Sequence, residues 1–367
     1  MLTILHVAPH LQAGGTAQMS ADLACALQQR GDSRNIIVSP PNELVSQIRA
    51  HGVEHRLCRK ANLFNIPAEI LRIRGIVAHL QPDIVQSYSA ESALICTLAC
   101  RKFKETKPSH IEVITSYPHR DFKRFFHRGS QVFVTISKHL RQVTTERILQ
   151  KRRRDIKLIP YGVNHLQCYP DYRPESRDTT RATDAHHNLT LCIPGPITPL
   201  HGLENLVPLL KTLEQQGISA HTRIIGDLGK AAPAYVQKLK QLYTEAHVAE
   251  RISWLGACTD LRDKLSTCDI ILSLSHSPAS YNRPILEALS LGRPVVGFDH
   301  GVVGELLESF LPEGRVAPGD INGVADTIIQ WNTYRPGTIT DIPYPYRICD
   351  TAESFFHLYE SVLRKDN

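Results

Sequence analysis

The chain has no uninterrupted apolar run approaching the ~18 residues of a membrane-spanning helix. Its first residues, MLTILHVAPHL, lack the basic n-region and cleavage pattern of a secretory leader and read as a buried strand. Low-complexity tracts and short-period repeats are absent. The nine cysteines are scattered. Cys96 and Cys100 could share a helix face, but no neighbouring His or second Cys pair completes a zinc set. Buried thiols in a reducing cytoplasm are the expectation, and no metal site is predicted. The full G-x-G-x-x-G dinucleotide pattern is missing. So is any recognised RNA- or DNA-binding motif, and nucleic acid is not an expected partner.

What remains is an ordinary globular composition, 42% apolar and 21% charged, in 367 residues. That length exceeds one comfortable core, so two domains are expected. Charge is divided unevenly. Residues 1–165 carry 24 Lys and Arg against 12 Asp and Glu, whereas residues 166–367 carry 18 against 24. The basic first half is expected to face something anionic.

Short β-rich runs alternate with amphipathic segments in both halves. LTILHVAP, NIIVSP, PDIVQSYS, HIEVITSY and QVFVTISK read as strands in the first half. LTLCIPG, SAHTRIIGD, RISWLGA, DIILSLS and RPVVGFD do so in the second. HGLENLVPLLKTLEQQG reads as one helix. This alternation predicts two α/β domains with doubly wound parallel sheets. The polar stretch Tyr169 to Asn188 has no apolar periodicity and reads as the linker. The expected division is an N-terminal domain over 1–165, a linker over 166–188, a C-terminal domain over 189–345 and a last helix over 346–367. The helix is expected to return to the first domain, and the cleft between the domains is the default ligand site.

Several loops at strand ends could meet a ligand. Gly14 and Gly15 lie between the first strand and its helix, where glycine permits close backbone approach and the helix start offers N–H groups. PGPITPLHGLENL follows the first strand of the second half and brings Gly195, His201 and Gly202 to a loop able to face a diphosphate. IIGDLGK supplies Gly226 and Lys230 in a similar turn. The strongest segment is SPASYNRPILEALSLGRPVVGFDHG, Ser277 to Gly301. There Glu287 can accept both hydroxyls of a ribose or merely complement a helix N-terminus, while Asn282 and Arg283 precede it and Arg283 can counter a phosphate. HRDFKRFFHRG, 119–129, interleaves bases with phenylalanines and fits a surface element on anionic lipid; KRRRD, 151–155, reads as a solvated charged face. No carboxylate pair of the glycosidase kind stands out.

With GG at 14–15, IIGD, ISWLGACTDLRDKLSTCDIILSLS and ILEALSLGRPVVGFDHGVVGE in view, the chain resembles the retaining nucleotide-sugar glycosyltransferases of GT-B architecture. More narrowly it is similar to the family 4 group that includes many lipopolysaccharide and capsule assembly enzymes. The resemblance implies two Rossmann-like domains, a nucleotide diphosphate sugar held mainly by the second, and a saccharide or lipid-linked acceptor held mainly by the first. It implies no metal cofactor, and a cytoplasmic protein working at the inner face of the cytoplasmic membrane. Departures accompany it. The first glutamate of the family's glutamate pair falls at Ala279, and Glu287 matches the second. The usual phosphate-binding arginine and lysine fall at Pro196 and His201. The usual histidine of the first domain falls at Tyr117, with His119 two residues on; His119, Tyr117 and His10 are the catalytic candidates on the acceptor side. Two functions are therefore carried forward, a sugar transferase and a non-catalytic binding or scaffold subunit of the same fold. A sugar epimerase would need an acid–base pair that the sequence does not display.

Overall fold

The structure is a computed structural model. It describes residues 1–8, 15–60, 65–103, 107–117, 130–148, 156–163, 188–228, 232–258, 261–334, 336, 342 and 344–366. Of the sequence expectations, His10, Gly14, His119, Lys230, both basic runs and nearly all of the linker lie outside these residues. Two compact units emerge, one of residues 1–164 with 344–367, the other of residues 165–343.

The first unit is built on seven parallel strands in the order β3-β2-β1-β4-β5-β6-β7. They are β1 Leu2–Val7, β2 Ser33–Ser39, β3 Glu54–Leu57, β4 Ile84–Ser87, β5 Ser109–Ile114, β6 Val132–Thr135 and β7 Ile156–Leu158. The helices between them are α1 Gly15–Arg30, α2 Leu44–Ala50, α3 Ile66–Leu80, α4 Ala90–Cys100 and α5 Lys138–Ile148. The central strands β4 and β5 are buried along their whole length, as strands covered on both faces must be. Polar positions are enclosed with the apolar ones: Gln86 and Ser87 of β4 and His110 and Glu112 of β5 are all buried. Leu5, Val7, Ile36, Val38 and Val85 pack with Ile73, Val77, Ile95 and Cys96 in one core. Burying each such side chain contributes about 1.5–3 kcal/mol. Ser89 opens α4 with a capping box shared with Ser92, satisfying helix N–H groups that would otherwise be unpaired.

The last helix, α12 Ile348–Asp366, belongs to this unit. Thr351 accepts a hydrogen bond from the Gly162 amide at 2.9 Å and donates to the Pro160 carbonyl at 3.1 Å. Phe355 and Tyr359 are fully buried, and Arg30 of α1 lies over the ring of Phe356 at 4.6 Å. The Tyr359 hydroxyl donates to Gln86 Oε1 at 2.7 Å, and Gln86 Nε2 donates to the Tyr88 hydroxyl at 2.8 Å. Tyr88 meets His6 Nδ1 at 2.7 Å, and His6 Nε2 meets Asn35 Oδ1 at 3.1 Å. Each direction follows from its neighbour. Asn35 Oδ1 can only accept, so His6 Nε2 carries the proton and Nδ1 accepts from Tyr88. The buried chain is satisfied throughout and ties α12 to β4, β1 and β2.

The second unit has six parallel strands in the order β10-β9-β8-β11-β12-β13. These are β8 Leu189–Pro194, β9 Ala220–Ile225, β10 Ile252–Gly256, β11 Ile270–Ser273, β12 Val295–Phe298 and β13 Arg315–Val316. Its helices are α6 Leu206–Gln215, α7 Pro233–Glu245, α8 Leu261–Ser266, α9 Arg283–Ser290, α10 Gly301–Phe310 and α11 Ile321–Thr333. Chain order reverses between β8 and β11, the place where open α/β sheets bind ligands beyond the strands' carboxyl ends.

Two expectations are corrected. The segment read as one helix from His201 is two 3₁₀ turns, Pro199–His201 and Leu203–Asn205, before α6 begins at Leu206. Gly202 interrupts it at φ +66°, a left-handed conformation that a helix cannot pass through. The edge strands β3 and β13 add to the predicted set; EHRL and RV are short and half polar, so they carry no buried-strand signal.

Candidate functional site

At the reversal point of the second sheet, the loop after β8 and the loop after β11 are joined directly. The His276 amide donates to the Leu200 carbonyl at 2.8 Å, and the Ser275 hydroxyl donates to the same oxygen at 2.9 Å. Close backbone approach makes this possible. A Cβ at Gly202 would stand 1.9 Å from the Leu274 carbonyl oxygen, and one at Gly226 would stand 2.2 Å from that of Gly195. These two glycines are thus required by the packing of the loops on each other. Gly195 itself leaves β8 with its amide bonded to Ile225 at 2.9 Å. In the first unit Gly15 is the exposed first residue of α1.

His201 sits on this loop with Nδ1 2.8 Å from the Thr198 hydroxyl. Burial lowers its pKa from the ordinary imidazole value. The folded loop therefore favours the neutral imidazole at neutral pH, because desolvation disfavours the cation. It can exchange hydrogen bonds with a ligand but brings no charge to a diphosphate.

Asn282 is the N-cap of α9, its Oδ1 accepting from the Ile285 amide at 3.3 Å, and Pro284 follows in the first turn where its missing N–H costs nothing. One turn later, Arg283 Nε donates to Glu287 Oε1 at 2.7 Å. The Glu287 side chain is only 5% exposed and that of Arg283 22%. A carboxylate this deep needs a partner, and the i,i+4 spacing supplies one from the same helix. The two residues read separately from sequence, one for a ribose and one for a phosphate, are therefore one ion pair here. Chemically the pair sets a carboxylate able to accept two hydroxyls beside a guanidinium charge.

Ala279 stands where a second carboxylate was sought. Its carbonyl accepts from the Val302 amide at 2.9 Å, occupying one of the free N–H groups at the start of α10. His300, the residue just before α10, donates from Nε2 to the Ser275 carbonyl at 2.8 Å. Neither His300 nor Ser275 was singled out from sequence, although both lie in or beside the 277–301 segment. Their role depends on two loops meeting, which no spacing encodes.

The acceptor-side candidates fall in the first unit. Tyr117, beyond the end of β5, places its hydroxyl 2.8 Å from Nδ1 of His139 on α5, with the rings edge to face at 5.5 Å. His139 was not anticipated. Among the described residues no group of three or more His, Cys, Asp or Glu could hold a metal ion, and no helix is long and apolar enough to cross a membrane.

The chain is similar in sequence and fold to known proteins. Residues 13–165 match the sequence profile described as Glycosyltransferase Family 4, and residues 189–333 match that described as Glycosyl transferases group 1. A curated relative, N-acetyl-alpha-D-glucosaminyl L-malate synthase of Bacillus anthracis, is 29% identical over 113 residues. The match takes in 31% of this chain and only 28% of that enzyme's length. A glycosyltransferase structure from Rickettsia africae superimposes with a TM-score of 0.75 at 20% identity, covering 100% of this chain and 96% of the other. Anabaena HepE in complex with UDP and glucose does so with a TM-score of 0.71 at 17% identity, covering 100% and 98%. These structural likenesses establish the fold as GT-B, two Rossmann-like domains with parallel sheets.

Proposed function

We propose that this chain, a GT-B-fold relative of the family 4 and group 1 sugar transferases, moves a sugar from a nucleotide diphosphate sugar to a saccharide or lipid-linked acceptor. The observation that carries the reading is the buried Arg283–Glu287 pair at the carboxyl edge of the second sheet, beside the joined 195–202 and 274–282 loops. Glu287 accepts the ribose hydroxyls, and the Arg283 guanidinium supplies positive charge towards the diphosphate. Gly195, Gly202 and Gly226 keep the loop backbone close enough for amides to face the phosphates, and Asn282 fixes the start of α9. The acceptor hydroxyl then attacks the anomeric carbon. The bond from that carbon to the phosphate oxygen breaks, the diphosphate leaves with the electron pair, and it takes the hydroxyl proton.

The finer assignments rest on the family resemblance: retention of configuration, an envelope glycan as product, and action at the inner face of the cytoplasmic membrane, where the basic first domain would meet anionic lipid. Tyr117 serves the acceptor side, with His10 and His119 as the alternatives. The division into an acceptor domain over 1–165 and a donor domain over 189–345 belongs to the same proposal.

A second reading is favoured by one specific observation. The 195–202 loop offers Pro196 and a neutral His201 where cations would neutralise a leaving diphosphate, and the loss of such contacts costs a few kcal/mol of transition-state stabilisation each. The second reading is a subunit that binds a nucleotide sugar or its acceptor without turnover. Release of nucleoside diphosphate from UDP-, GDP- and ADP-hexoses, with saccharide and lipid-linked acceptors supplied, separates the two. Release that depends on acceptor and disappears in Glu287→Ala supports the transferase, and NMR of the product anomer then tests retention. Donor binding with no release under any acceptor supports the scaffold.

A further inference from the structure

His300 occupies a position that neither its packing nor its hydrogen bonds complete. Its Nε2 lies 2.8 Å from the Ser275 carbonyl, an atom that can only accept, so this nitrogen holds the ring proton. In the neutral imidazole, Nδ1 is then a bare acceptor. That atom is buried and has no hydrogen-bond partner. A buried acceptor left unpaired costs about 1–3 kcal/mol, and such an atom in a folded protein calls for an explanation. Contrast His6 of the first unit, where both ring nitrogens are paired at 2.7 and 3.1 Å.

The ring is also held in place. Phe298, the last residue of β12, lies against it at 6.3 Å between centroids. A Cβ on Gly301, the residue after His300, would stand 2.7 Å from the Ala279 carbonyl oxygen, so the backbone beside the ring is closely packed. Ser275, whose carbonyl accepts the His300 hydrogen bond, donates from its hydroxyl to the Leu200 carbonyl at 2.9 Å. The imidazole is therefore braced by the β11 and β8 loops together, at the same sheet edge as Arg283 and Glu287. An unpaired lone pair on a ring fixed at this edge suits a ligand that brings a hydrogen-bond donor. Phosphate oxygens bring none to a neutral imidazole, whereas sugar hydroxyls do.

We propose that His300 is a specificity-determining contact of the donor site, its Nδ1 accepting a hydrogen bond from a hydroxyl of the transferred sugar. The inference rests on the donor-site reading above and adds to it which part of the donor this residue recognises.

Calorimetry with the full chain, using UDP, GDP and ADP and their hexose conjugates, tests it. The wild type identifies the nucleotide that binds; His300→Phe and His300→Gln are then compared on the bare diphosphate and on its sugar conjugate. Phe keeps an aromatic ring against Phe298 but has no acceptor. Gln offers an amide N–H for Ser275 and a carbonyl oxygen in place of Nδ1. The expected result for Phe is a loss of about tenfold in affinity for the sugar conjugate and less than about twofold for the diphosphate, with Gln recovering most of the difference. In the wild-type protein, the ring 15N resonance of Nδ1 should shift when the sugar conjugate is added and stay in place with the diphosphate alone. Equal losses on both ligands, or an unmoved Nδ1 resonance with the sugar bound, would overturn the His300 assignment while leaving the nucleotide site intact. Failure of the wild type to bind any of the diphosphates would overturn both.

Discussion

The two parallel sheets differ in what is buried beside them. In the first unit the polar chain from Tyr359 through Gln86, Tyr88 and His6 to Asn35 is satisfied link by link and ties the last helix to the central strands. In the second, Asn205 Nδ2 and His300 Nδ1 near the reversal point are buried without hydrogen-bond partners, while Tyr235 and Glu204 engage each other. A satisfied network fixes one conformation and gains nothing from a ligand. An unsatisfied set carries a standing cost that a ligand can relieve. The contrast is local, since in the first unit His55 Nδ1, Thr144 Oγ1 and both carboxylate oxygens of Glu69, with Arg72 at 3.5 Å, are also buried without hydrogen bonds. The lesson is that an unpaired buried group points to a site when it lies on a loop at a sheet's carboxyl edge, as His300 does in the second unit.

The largest effect that could break this comparison is at Gly202. Alanine there must adopt a positive φ and place its Cβ within 1.9 Å of the Leu274 carbonyl oxygen. The second unit should lose ~3 kcal/mol or more, in the range of severe backbone and packing faults. Both tryptophans, Trp254 and Trp331, lie in the second unit, so their fluorescence isolates its unfolding. A Gly202→Ala protein with an unchanged fluorescence transition in urea would show that the loops are not locked together.

Acid should act on the first unit. Burial lowers the His6 pKa to about 4 and that of His110 to about 3. Each imidazole is neutral when folded, but in the unfolded chain it takes a proton near pH 6.5. Proton uptake then favours the unfolded chain, and stability falls as pH drops from about 6.5 towards 4, by roughly 3 kcal/mol for His6 alone. His201 and His221 in the second unit shift the same way but are more open to water, so the effect there is smaller. Urea unfolding at pH 7 and pH 5, followed by circular dichroism and by tryptophan fluorescence, should show the dichroism midpoint falling further. Equal falls would contradict the contrast.

The smallest effect is expected at His201. A neutral imidazole bonded to Thr198 contributes little to binding a dianion, so His201→Gln should change nucleotide diphosphate affinity by less than about threefold. His201→Lys should raise it, and a drop with lysine would show that the loop does not face the phosphates.

Much of the fold was legible. A strand such as VVGF is apolar because both faces are covered, and that pattern survives in any α/β chain. The edge strands β3 and β13 were not, since EHRL and RV are short and half polar, although the edge strand β10 was legible in RISWLGA. The site was legible only in part. Glu287 and Arg283 were singled out by residue type, but their 2.7 Å pairing is a rotamer choice that spacing allows without requiring. Gly202 and Gly226 suggested a ligand loop, yet the structure gives each a packing reason first. His139 and His300 were passed over because each acquires its role from a neighbour distant in sequence: Tyr117 in one case, and Ser275 in the other.

Calorimetric titration of the purified protein with UDP, GDP, ADP and CMP and their sugar conjugates, beside Glu287→Ala, tests the central claim most directly. The account predicts that one nucleotide binds, and that the substitution weakens it about a hundredfold or more as the hydroxyl acceptor is lost and Arg283 is left without its carboxylate. Equal affinity in the two proteins, or no binding across the panel, would contradict it.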